Sequence, residues 1–256
     1  MTTEPLTRIL GTLLIIGMRV SGIVLFAPFF GSAAVPTRVK AVLALMLTLL
    51  LYPMLANRLP GLDVSEWPMV VLGELMIGAA VGIATSVVFD GIQMAGQILS
   101  VQLGYSLVNI IDPNTQVDST VVAAFHQTIA MLIFLRADVH LRILRAVAGS
   151  FDSLSIPSGH LSQGFMAAVV SACGAVFSIG IQIAAPVLGA TLLADVAMAL
   201  LGKASPQLPL MMLGPAVKVV PGLLVLMAAM RYWPSLFGYL FDGSVHSAQL
   251  LFQLSH

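Results

Sequence analysis

Charge is what this chain has least of. Asp, Glu, Lys and Arg together make up 9% of its 256 residues, against roughly 25% in an ordinary soluble domain. Apolar types take 59% and the mean hydropathy is +1.01, which excludes a soluble enzyme and predicts a membrane protein. Eleven basic and eleven acidic residues cancel, and neither sign gathers into a run, so no nucleic-acid surface or polybasic lipid anchor is expected. Cysteine is nearly missing as well: the single Cys173 excludes an internal disulfide and a thiolate metal cage, and within VVSACGAVFS it reads as a small core hydrophobe. There is no G-x-S-x-G elbow and no phosphate loop. His126, His140, His160, His246 and His256 are scattered, without the spacing of a zinc site. Ser158 and His160, two apart in PSGH, have a turn composition. No enzyme activity, cofactor or metal is expected.

What is present is hydrocarbon in helix-sized runs. A spanning helix needs about 20 mostly apolar residues, and candidate segments lie at 9–30, 39–56, 68–89, 91–111, 121–135, 165–200 and 208–230, with a short apolar tail near 236–254. The first is interrupted by Arg19 and is far longer than a signal h-region, so it reads as a retained membrane segment. Only Asp90-Gly91 separates the third and fourth, too little for a reversal, so they form one long bent helix with Gly91 and Gly96 as weak points. Pro186, Pro215 and Pro221 predict kinks or breaks, because proline removes a donor and clashes with the preceding turn. Irregular backbone cannot face lipid unsatisfied, so such breaks fit a subunit buried in an assembly. Loop charges leave the orientation open, and the one internal division point is the polar connector SIPSGHLSQG at 155–164. The fold class is all-α.

The polar residues inside these runs need a reason. At 100° per residue, Asp90, Gln93, Gln97, Ser100 and Gly104 share an arc of about 80°, and Gln102 lies opposite. Two readings stand: side chains bonded to neighbouring helices, or a stripe along a water-filled path. Pro113 then biases Asp112 out of the helical region, so the helix ends there and a polar loop follows. Glu74 and Asp195 are carboxylates in apolar runs, where ionisable groups mark pathways or paired contacts. Arg19 and Lys218 are the matching cations, and spacing does not say which pairs with which.

An ordered set of blocks carries a family pattern: GIVLFAPFFGSAAVPTRVKAVLAL after Arg19, GELMIGAAVG, AGQILSVQLGYSLVNIIDP, VHLRILRAVAGSFDSLSIPSG, IQIAAPVLGATLLADVAMALLGKASPQL and MLGPAVKVVPGL. In that order, from about Arg19 to about Gly222, the chain resembles the FliR/SctT family, the export-gate subunit of flagellar and related type III secretion systems. The most specific groups are Pro28-Phe29-Phe30-Gly31, Ala95-Gly96-Gln97 with Asp112-Pro113, and Ser205-Pro206-Gln207. Two blocks depart from the pattern. Gly214-Pro215-Ala216-Val217-Lys218 stands where Gly-Phe-Pro usually precedes the lysine, and Ala137-Asp138-Val139-His140 stands where a Gly-Gly-His turn is common.

The resemblance implies a structural, pore-forming subunit of the gate that passes unfolded flagellar substrates across the bacterial inner membrane at the basal body. Its partners would be FliP-type and FliQ-type gate subunits and an FlhB-type switch subunit. About 1–160 would be FliP-like and about 161–256 FliQ-like, in bent and broken helical hairpins within a helical hetero-oligomer. By the same resemblance the loop containing Asn109, Ile110, Ile111, Asp112, Pro113, Asn114, Thr115 and Gln116 acts as a plug. Arg19, Glu74, Asp195, Lys203 and Lys218 become assembly contacts, and Pro186, Pro206, Pro215 and Pro221 become helix breaks. An injectisome gate subunit of the same family is the alternative. A secondary transporter, with polar midplane residues on discontinuous helices, lacks support from repeat symmetry here, and an intramembrane hydrolase lacks a nucleophile and base.

Overall fold

A computed structural model describes residues 3–28, 31, 35–56, 67–105, 120–153, 163–205 and 210–254. Among these the chain forms eight helices and no strand: α1 Thr3–Phe26, α2 Thr37–Leu55, α3 Trp67–Gln102, α4 Val121–Arg136, α5 Val139–Ser153, α6 Gln163–Ala204, α7 Leu210–Met230 and α8 Trp233–Leu254. Four of them, α1, α2, α3 and α6, are long and apolar enough to cross a membrane. The count rises to six if each of two bent pairs, α4 with α5 (62°) and α7 with α8 (64°), is one span. Contacts divide the chain into two units: 1–87, 138–174 and 241–256 in one, 88–137 and 175–240 in the other.

In the first unit α1 and α3 meet through glycine. A Cβ on Gly22 would lie 2.7 Å from the Leu75 carbonyl oxygen, one on Gly82 would lie 2.7 Å from Phe26 Cβ, and one on Gly78 would collide with the Arg19 backbone. Gly78 and Gly82 are four apart on one helix face, the small-residue spacing that lets apolar helices approach closely without a hydrophobic driving force. Ile15, Val20 and Ile23 of α1 and Ile77 and Val81 of α3 are buried. From α5, Val139, Ile143, Val147 and Phe151 join them at four-residue spacing.

In the second unit the later part of α3 packs through glycine again, with Gly91 against Ile179 and Gly96 against Ala123. Phe89 and Phe134 meet edge to face at 5.3 Å, and the buried His126 lies 4.6 Å from Trp233.

Several expectations are corrected. The segments expected at 68–89 and from 91 onward do form one helix, α3, which stops at Gln102, short of the end expected at Asp112-Pro113. Gly104 takes a φ of 79°, the Tyr105 amide donates to the Ser100 carbonyl (2.9 Å) and the Gly104 amide to Val101 (3.1 Å). This is a Schellman motif, which satisfies the carbonyls left over at a helix end. Gly91 and Gly96 mark close approaches of neighbours. The break expected at Pro186 is absent, because α6 continues through it as one helix of 42 residues. α7 likewise continues through Pro215 and Pro221. The interruption that does occur falls at Arg231-Tyr232, where Pro234 in the first turn of α8 would clash with the carbonyl of Met230 if α7 continued. Cys173 is exposed: it sits on an outward face of α6. Pro206 and the segment 109–116 lie outside the described residues.

Candidate functional site

The charges find their partners in pairs. Arg19 of α1 is 1% exposed and so is Glu74 of α3. The guanidinium donates from Nε to Glu74 Oε2 (2.5 Å) and from Nη2 to Oε1 (2.8 Å), the bidentate geometry that matches Arg to a carboxylate. Nη1 donates to Ser150 Oγ at 2.9 Å, and the Phe151 ring lies 4.1 Å from the guanidinium carbon, a cation–π contact. Ser150 in turn donates to the Val147 carbonyl (2.7 Å). Three helices that are far apart in sequence thus converge on one ion pair.

Asp195 of α6 pairs with Lys218 of α7. This pair is accessible, with side chains 39% and 22% exposed, so it is open to a further partner in a way that the Arg19 cluster is not. Lys203 is exposed in the last turn of α6, where a cation complements the helix dipole.

The polar stripe of α3 is divided by its surroundings. Asp90 and Gln97 are exposed, Gln93 and Gln102 half-buried, and Ser100 fully buried. Ser100 lies 2.8 Å from the Gly96 carbonyl oxygen and 2.5 Å from Thr120 Oγ1. Thr120 caps α4, accepting from the Ala123 amide at 3.4 Å, so Ser100 joins the end of α3 to the start of α4. The stripe therefore packs at Ser100 and reaches the surface of the chain at Asp90 and Gln97.

Sequence reasoning singled out both acids and both cations of the buried and half-buried pairs. It missed Ser150, Phe151 and Thr120. The last carries a readable signal, a threonine directly before the apolar run VVAAF. The first two lie on α5, whose arginines set it outside a search for membrane-grade runs. Among the described residues no three His, Cys, Asp or Glu side chains come together as a metal site.

The chain is similar to proteins named "Flagellar biosynthetic protein FliR". The one from Pectobacterium carotovorum subsp. carotovorum is 29% identical over 241 residues, covering 93% of this chain and 92% of that protein. The one from Escherichia coli (strain K12) is 28% identical, covering 83% and 82%, and the one from Bacillus subtilis (strain 168) is 26% identical, covering 85% of each. Residues 10–244 match the family described as "Bacterial export proteins, family 1", and the chain belongs to that family.

Proposed function

We propose that this chain is a structural, pore-forming subunit of the type III protein export gate, passing unfolded flagellar substrates across the inner membrane during flagellum assembly. The observation that carries this is the family match across residues 10–244, together with the three relatives above, each named for flagellar biosynthesis. The physical features support it. Four to six candidate spans fit a multi-pass membrane protein. Leu45, Met46, Leu49 and Leu50 of α2 and Phe177, Leu193, Val196 and Leu200 of α6 are exposed, and apolar faces of this extent need lipid or neighbouring subunits. The role asks for shape and assembly from this subunit, and no chemistry.

The partners in this reading are FliP-type and FliQ-type gate subunits and an FlhB-type switch subunit, with about 1–160 resembling the first and about 161–256 the second. The Asp195–Lys218 pair and Lys203 then serve as assembly contacts, Asp90 and Gln97 face a neighbour or the path, and the loop around 109–116 is the plug. Deleting the gene should remove hook and filament proteins from the culture medium, and supplying the chain in trans should restore them. Export that continues without it, or a chain that never co-purifies with FliP- and FliQ-type subunits, would reject the proposal.

A further inference from the structure

Unit one contains an open groove of about 280 Å³ whose walls are hydrocarbon. Ile23 and Val24 of α1, Leu47 and Leu51 of α2, and Leu144 and Ala148 of α5 form its sides, and among the described residues the one charged side chain that lines it is Arg145. The volume is at the small end of ligand cavities, about 300–1,000 Å³, and suits a narrow apolar ligand better than a bulky one. The helix that supplies the charge is built for this. α5 buries Val139, Ile143 and Val147; the last two form the inner side of the groove, and Leu141, Leu144, Arg145 and Ala148 continue along its edge.

Arg145 is exposed and has no ion pair among the described residues, whereas Glu74 and Asp242 of the same unit are engaged by Arg19 and Arg142. An unneutralised guanidinium beside a hydrocarbon slot complements one kind of molecule, an amphiphile with an anionic head. A basic residue near the head groups favours anionic lipid over neutral lipid, and each buried methylene adds further affinity.

We infer that this groove holds one acyl chain of an anionic phospholipid, with its phosphate against Arg145. The full chain is purified in detergent and titrated with phosphatidylglycerol or phosphatidylethanolamine, with bound lipid counted by native mass spectrometry. The wild type should retain phosphatidylglycerol about fivefold better than phosphatidylethanolamine. Arg145→Gln should erase that preference, and Ala148→Phe, which fills the slot, should lower retention of both lipids. Equal retention of the two lipids by the wild type, or unchanged retention in both variants, overturns the inference. A second measurement uses the wild type alone, so it does not depend on a variant folding. Phosphatidylglycerol carrying a photoactivatable group in its acyl chain should label peptides containing Leu47, Leu51 and Leu144. Label confined to the exposed face of α6 overturns the inference. So does a photoactivatable residue placed at Leu51 that captures a partner subunit's helix in the assembled gate.

Discussion

Arg19 shows how much one side chain can depend on another. Removing a buried carboxylate leaves its cation desolvated and unpaired, at a cost of about 3–5 kcal/mol, whereas replacing both partners by apolar groups is often close to neutral. Glu74→Ala should therefore lower the melting temperature of the detergent-solubilised chain sharply, and the double variant Arg19→Met with Glu74→Leu should recover most of the loss. If the single variant melts like the wild type, the pair does not hold α1 to α3. Asp138 offers a separate test at the turn between α4 and α5. Its φ of 52° is left-handed, a region where a side chain is strained and glycine is not, and its carbonyl accepts from the Leu141 and Arg142 amides, both at 3.1 Å. Asp138→Gly should be neutral or stabilising by up to about 1 kcal/mol, while Asp138→Val should cost about 1–2 kcal/mol. Equal melting temperatures for the two variants would show that the turn is not strained.

Between helices, the decisive atom is one that is absent. A Cβ at Gly78 would collide with the Arg19 carbonyl oxygen, whereas one at Gly189 on α6 meets nothing within 4 Å. Gly78→Ala should accordingly destabilise by about 1–3 kcal/mol as overpacking, and Gly189→Ala should stabilise the helix by up to about 1 kcal/mol. Thermal unfolding of the two variants, compared side by side, checks both signs at once. The same contrast explains which features were legible in the sequence. Apolar runs show where helices exist, since α1, α2, α3 and α6 are long and nearly uncharged, and the two-residue gap at Asp90-Gly91 correctly reads as no gap. Periodicity cannot tell whether a glycine bends a helix or admits a neighbour, because that depends on what packs there, and Gly91 and Gly96 turn out to be contacts. Prolines mislead for a related reason. Pro186 loses one hydrogen bond inside a helix that continues on either side, while Pro234, which drew no notice, ends a helix. α5 stayed hidden because its arginines and serines make it amphipathic instead of uniformly apolar. The acids of the two ion pairs stood out in their apolar runs, but their partners are set by tertiary packing across 55 positions in the case of Arg19 and Glu74.

Across the whole chain, helix length sets the problem that an assembly would solve. At 1.5 Å per residue α6 extends about 60 Å, twice the roughly 30 Å of a bilayer's hydrocarbon core, and much of its apolar surface faces outward. A monomer leaves that surface to lipid or detergent; neighbouring subunits would cover it and leave a path at their centre. A path wide enough for an unfolded polypeptide must be shut when idle, because any standing opening would dissipate the ion gradients of the membrane. The segment between the Schellman turn at Gly104 and the Thr120 cap enters and leaves at helix ends that are tied together by the Ser100–Thr120 hydrogen bond, so a change inside the segment need not disturb α3 or α4. Deleting Asn109 to Gln116 should therefore leave the assembled complex intact while letting ions or small solutes through. Cells that express the variant together with FliP- and FliQ-type subunits should show a fall in membrane potential, read with a voltage-sensitive dye. Cells that express the variant by itself should not, because in the proposed gate the path forms only between subunits. A complex of normal size with unchanged potential would show that closure is achieved elsewhere, and leakage from the lone subunit would show that the deletion damages the helices themselves.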